Sequence, residues 1–205
     1  MTRLIDLSHD IEDEMTVHPY DSCVKLYQDR FLEFDKYNNF RLEIGMHAGT
    51  HIDTPMHLTK RITPINGISL EKFMGRGCIL DVRDESLITY KEEYLSKVKE
   101  GDIVLLYTNN SNKYGTEEYY SNYPTVSKEL ASFFIKKDIK MLGIDSPSPD
   151  KYPFEIHKLL FNHDILIMEN MTNLSELVTI KNFEIIALPL KIKAEASLVR
   201  AVARV

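Results

Sequence analysis

An α/β fold with mixed β-sheets is predicted for this 205-residue chain by three observations. From residue 76 onward, short apolar runs alternate with helical stretches, as crossover units feeding a partly parallel sheet require. The amino-terminal third reads as more purely β. No Gly/Ser/Pro-rich stretch or charge run marks a linker, so residues 1–205 are expected to form a single domain.

The elements follow in order. In 39–46, Phe40, Leu42, Ile44 and Met46 alternate with Arg41, Glu43 and Gly45, the pattern of a half-buried strand. Later strands are expected at 77–82, 102–107, 140–144, 164–168 and 182–188, with helices at 90–99, 127–137 and 153–161 between them. Two further strand candidates, 190–194 and 198–205, close the chain. Residues 109–123, rich in Asn, Ser, Tyr and Gly, form the one long loop, and such loops often border sites.

Composition narrows the function classes. Hydrophobic residues make up 43% and charged residues 27% of the chain, as in ordinary globular proteins. The net charge of −6 argues against nucleic acid or an anionic membrane as the main partner. The opening residues lack the apolar run of a signal peptide and no segment approaches a spanning length, so a cytoplasmic location is expected. Cys23 and Cys78 lack CxxC spacing and read as reduced residues.

The most informative stretch is His47-Ala-Gly-Thr-His51-Ile-Asp53-Thr-Pro-Met-His57. With 7 histidines in 205 residues, an eleven-residue window should hold about 0.4 of one. Imidazole and carboxylate are the usual ligands of Zn²⁺, Mn²⁺ and related ions, and imidazole also moves protons near neutral pH. A helical motif is excluded, because Asp53 would lie about 240° round from His47 and Gly49 and Pro55 both oppose a helix. In a fully extended chain His47 and His51 would be ~13 Å apart, too far to share an ion. The chain must therefore bend, with Gly49 and Pro55 as the places for it, and a strand ending near Met46 is expected to deliver a tight, irregular ligand loop.

Several strands end in a carboxylate, at Asp6, Asp81, Asp145 and Glu169, and in open α/β sheets such ends gather functional groups. An aspartate there also commonly caps a helix or stabilises a turn, which leaves Glu169 as the distinctive member. No glycine-rich phosphate loop, GxSxG elbow, paired CxxC or heptad stretch is present.

The run from His47 to His57 resembles the signature of the metal-dependent cyclase family, whose best-known members are bacterial kynurenine formamidases (arylformamidases), with isatin hydrolases and other amide or imide hydrolases alongside. Asp6-Leu7-Ser8-His9, Leu142-Gly143-Ile144-Asp145-Ser146-Pro147-Ser148, His157-Lys-Leu-Leu160, Glu169-Asn170 and Ala187-Leu-Pro-Leu-Lys191 look like the family in the same order, so the resemblance spans nearly the whole chain. It implies a fold of the swivelling β/β/α type and a homodimer or homotetramer. It assigns His47, His51 and Asp53 to one divalent ion and Asp53, His157 and Glu169 to a second, Zn or Mn, with His57 as general acid/base. His157 is preferred to His163 because the family places the remote histidine twelve residues before the glutamate.

The implied activity is hydrolysis of a small amide by metal-activated hydroxide, foremost N-formylkynurenine to kynurenine and formate. Alternatives are a cyclic imide of the isatin type, a cyclase or dehydratase reaction on a hydroxy-acyl substrate, and last a non-catalytic metal- or ligand-binding protein. One departure concerns the substrate. Where kynurenine formamidases carry an aromatic residue in a Pro-Gly-Asp context, this chain has His18-Pro19-Tyr20-Asp21, and it contains no tryptophan. His18 is therefore the expected substrate-binding residue. Asp6, His9 and Asp145 are candidates to orient the ligands from behind.

Overall fold

The computed structural model describes residues 2–205. In chain order the elements are β1 (Leu4–Asp6), β2 (Lys25–Arg30), α1 (Leu32–Asp35), β3 (Asn39–Glu43), β4 (His51–Asp53), α2 (Pro55–Leu58), β5 (Met74–Asp81), β6 (Leu87–Ile88) and α3 (Tyr94–Lys97). They continue with β7 (Ile103–Tyr107), α4 (Glu117–Ser121), β8 (Thr125–Val126), α5 (Lys128–Lys136), β9 (Met141–Ile144), α6 (Glu155–Phe161), β10 (Leu166–Glu169), β11 (Glu184–Ile186), β12 (Ala196–Leu198) and β13 (Val202–Arg204).

Nine strands form one curled mixed sheet in the order β1-β13-β11-β5-β7-β9-β10-β4-β12. Its centre, β5-β7-β9-β10, is parallel and its flanks are antiparallel. Strand β7 shows why the centre reads as unbroken apolar runs. Val104 and Leu106 pack into one core, with α5 and α6, while Ile103, Leu105 and Tyr107 pack into the other. Both faces are covered, so no position can be polar. Close packing also explains Gly143 on β9, where a Cβ would lie 2.5 Å from Leu105 Cδ2 and 2.7 Å from Met171 Sδ.

The α/β expectation with mixed sheets therefore holds, with four local corrections. The strand at 39–46 stops at Glu43, and all five residues of β3 are exposed rather than half-buried. It pairs only with β2, so its alternation has no core to face. The helix at 90–99 shrinks to Tyr94–Lys97. Residues 190–194 form no strand. The stretch 198–205 is broken between β12, next to β4 at one end of the sheet order, and β13, next to β1 at the other. Among the described residues no helix is long and apolar enough to cross a membrane.

Candidate metal centre

The 47–57 segment is more regular than the loop expected from its sequence. A turn at 47–50 bends at Gly49, whose φ is +61° and whose Cβ, if present, would lie 2.7 Å from Ile11 Cδ1. His51 and Asp53 then lie two apart on β4, on the same face of the strand. β4 is held between β10 and β12, with Glu169 directly opposite His51 and Ala196 opposite Asp53. Thr54 caps α2, Pro55 occupies its first turn, and His57 rides on it. On the other side, α6 carries His157 and the end of β10 carries Glu169.

These elements bring all six residues together. His47 Nδ1 lies 3.0 Å from Asp53 Oδ1 and 3.3 Å from His51 Nε2. His51 Nε2 lies 3.3 Å from Asp53 Oδ1 and 3.4 Å from Glu169 Oε2. The other oxygens face the opposite side, Glu169 Oε1 at 3.2 Å and Asp53 Oδ2 at 3.9 Å from His157 Nε2. His57 Nε2 is 4.0 Å from Asp53 Oδ2. Two sets of donor atoms each gather within 4.8 Å, His47 with Asp53 and His57, and His51 with Asp53 and Glu169.

The outer nitrogens explain what the inner ones can do. His157 Nδ1 is 2.6 Å from Asp150 Oδ1, His51 Nδ1 is 2.9 Å from the Gly49 carbonyl, and His47 Nε2 is 3.3 Å from Glu195 Oε1. Each outer partner is an acceptor, so each ring can carry its proton outward, which turns a lone pair inward. In that state three lone pairs meet two carboxylates, and the buried oxygens Asp53 Oδ1 and Glu169 Oε1 have no hydrogen-bond donor. Such a nest of acceptors requires a cation, and imidazole with carboxylate suits a divalent transition ion.

Without a metal the same need is met by protons. Burial alone would lower the His157 pKa, but its bonds to Asp150 and Glu169 outweigh that and raise it to about 10. His51 is raised well above the usual histidine value, burial again being outweighed by Asp53 and Glu169. Burial opposes ionisation of Asp53, yet His51 and His47 hold its carboxyl well below the usual range. For His57 burial wins, and its pKa falls. An ion entering this site would displace protons.

The centre opens into a cavity of about 250 Å³. Asp53, His57, His157 and Glu169 line it, together with Tyr120, Tyr123, Phe154, Pro147 and Leu58. His18 and Asp21 also line it, so the structure places His18 at the pocket, edge-on to Tyr120 with ring centroids 5.9 Å apart. Tyr20 does not line it and is 94% exposed.

The family model described as "Cyclase: Putative cyclase" matches residues 5–151. A kynurenine formamidase of Bacillus cereus is 31% identical over 206 residues, which cover 98% of this chain and 96% of the relative. One from Bacillus anthracis is 30% identical, with 99% and 98% covered. The chain belongs to the cyclase family. Solved structures agree in fold. Isatin hydrolase A from Labrenzia aggregata has a TM-score of 0.87 at 21% identity, with all of this chain and 94% of that one covered. A potential metal-dependent hydrolase with cyclase activity has 0.81 at 23%, covering 100% and 98%.

Within this cyclase-family chain, the residues expected to orient ligands from behind do other work. Asp6 pairs with Arg200 and His9 stacks on Tyr114 at 3.6 Å. Asp145 receives the Thr108 and Asn109 N–H groups and the Thr108 hydroxyl, anchoring the start of the 109–123 loop. That loop is itself ordered, containing α4, and supplies Tyr120 and Tyr123 to the cavity. His163 is exposed and bonds the Leu159 carbonyl, away from the site.

Sequence reasoning missed Asp150, Glu195 and Asn170. Asp150 also accepts the Ile156 and His157 N–H groups, so an aspartate shortly before a predicted helix was a readable signal for a helix-start role. Asn170, at φ +53°, donates Nδ2–H to the Gly49 carbonyl and accepts from Tyr119 Oη. Glu195 carried no local signal.

Proposed function

We propose that the chain is a metal-dependent amide hydrolase whose most fitting substrate is an aryl formamide, N-formylkynurenine being the type. The observation that carries this reading is the set of three histidines, each with an acceptor behind it, facing two buried carboxylates at a cavity lined by aromatic side chains. His47, His51 and Asp53 would hold one divalent ion, and Asp53, His157 and Glu169 a second, Zn or Mn. When bound, such ions polarise a carbonyl oxygen and lower the pKa of water.

The chain's own groups account for the rest. Asp53 and Glu169 each turn one oxygen to either half, which ties the two donor sets into one site. His57 is kept neutral at pH 7 by burial, so it can take a proton from water and return it to the departing nitrogen, which an amine leaving group requires. Tyr120, Tyr123 and Phe154, with His18 in place of the usual aromatic, offer ring faces and edges to a flat substrate.

The reading includes a second copy of the chain and a reducing, cytoplasmic setting. Both cysteines are free and Cys23 is exposed, as suits a reducing compartment. Seven large apolar side chains from Tyr27 to Leu42 on the β2–β3 hairpin are at least 47% exposed, a patch that fits burial between protomers. Analytical ultracentrifugation of the full chain checks it, with a dimer or tetramer expected and a monomer at micromolar concentration contradicting it.

The activity test uses metal-free protein reloaded with Zn²⁺ or Mn²⁺, with N-formylkynurenine and a panel of other formamides, cyclic imides and lactones. Metal-dependent release of formate is the expected result. No turnover of any member by metal-loaded protein would sink the hydrolase reading.

A further inference from the structure

We infer that Glu195 is a positioning residue that holds His47 in the tautomer turning Nδ1 toward Asp53; this rests on the metal-centre reading above. His47 needs such a partner more than the other histidines. Its side chain is 24% exposed, against 1% for His51 and 3% for His157, and it sits on the turn before β4 rather than in a strand or helix. A free imidazole on a turn can flip its ring and exchange tautomers. Glu195 Oε1, 3.3 Å from His47 Nε2, is the acceptor that fixes the proton on the outer nitrogen.

The position of Glu195 is set by backbone contacts. Its carbonyl accepts both the N–H and the hydroxyl of Thr54, at 3.1 and 2.8 Å, and the next residue, Ala196, pairs with Asp53. One residue therefore holds both ends of the ligand segment, through its side chain at His47 and through its carbonyl just past Asp53. Only the first hold depends on the carboxylate. The Glu195 side chain is 37% exposed, so replacing it leaves the backbone clamp and the core intact.

Removal of a partner behind a metal ligand typically weakens binding about 10- to 100-fold. The 3.3 Å separation, longer than the 2.6 Å pair of His157 with Asp150, places the expected loss near the low end of that range. The test titrates metal-free wild type, Glu195→Ala and Glu195→Gln with Zn²⁺ against a chromophoric chelator. It also reads the His47 imidazole nitrogens of the Zn²⁺-loaded proteins by NMR.

Wild type should show His47 protonated on Nε2. Glu195→Ala should show mixed tautomers and one Zn²⁺ dissociation constant raised about tenfold. Glu195→Gln keeps a neutral acceptor and should fall between them. Unchanged Zn²⁺ affinity in Glu195→Ala, or an unchanged His47 tautomer, would overturn the inference. Wild type that binds no Zn²⁺ would instead remove the metal-centre reading, and the positioning role of Glu195 with it.

Discussion

His157 and His47 face the same pair of carboxylates from settings of opposite kind. His157 projects from α6 inside the core, and its outer partner Asp150 is itself buried and receives two backbone N–H groups at the start of that helix. His47 sits on a turn at the cavity rim, and its partner Glu195 is partly exposed. On the core side the group that orients the histidine also supports the fold. On the rim side the two tasks are separate, so the rim can vary without unfolding the protein.

The variant expected to matter most joins the two sides. Asp53→Asn removes the carboxylate shared by both donor sets, and turnover should fall on the order of 10⁴-fold or more, with loss of bound metal by elemental analysis. Retention of one ion and near-normal activity would show that the sides work independently. His57→Asn tests the residue assigned to proton transfer rather than to either anchor. Its kcat should drop about 10²- to 10⁴-fold while metal content stays at the wild-type level.

Stability separates the sides directly. In metal-free protein Asp150→Ala should lower unfolding free energy by about 1–3 kcal/mol, because buried N–H groups lose their acceptor. Glu195→Ala should stay within about 0.5 kcal/mol of wild type in the same denaturant titration. Equal losses would erase the contrast.

A separate effect concerns pH beside Thr50. His9, whose N–H bonds Thr50 Oγ1, has its pKa lowered to about 4 by burial, a shift that Asp10 partly opposes. The unfolded chain then binds a proton below pH 6.5 that the folded chain does not, so stability should fall as pH drops from 6.5 toward 4. His9→Gln should show a shallower decline over that window in thermal melts, and an equal slope would remove His9 as a cause.

The parallel centre was legible because β7 and β10 are apolar on both faces and lie between predicted helices. The β3 segment misled because period-two alternation reports that two faces differ, not that a core lies against one of them. Residues 190–194 failed as a strand for a related reason. Apolar content suits a strand, but pairing depends on a neighbour, and the chain uses this stretch to approach β4.

By itself the sequence determined the imidazole and carboxylate donors of 47–57, the necessity of a bend within it, and the α/β alternation that follows. These depend on residue type and on distances along a short stretch of backbone. The tertiary structure alone decided which nitrogens face inward, which carboxylate oxygen serves each side, and that Asp150 and Glu195 stand behind the histidines. Those features depend on distances of about 3 Å between groups far apart in the chain, set by sheet register and helix docking rather than by any local pattern.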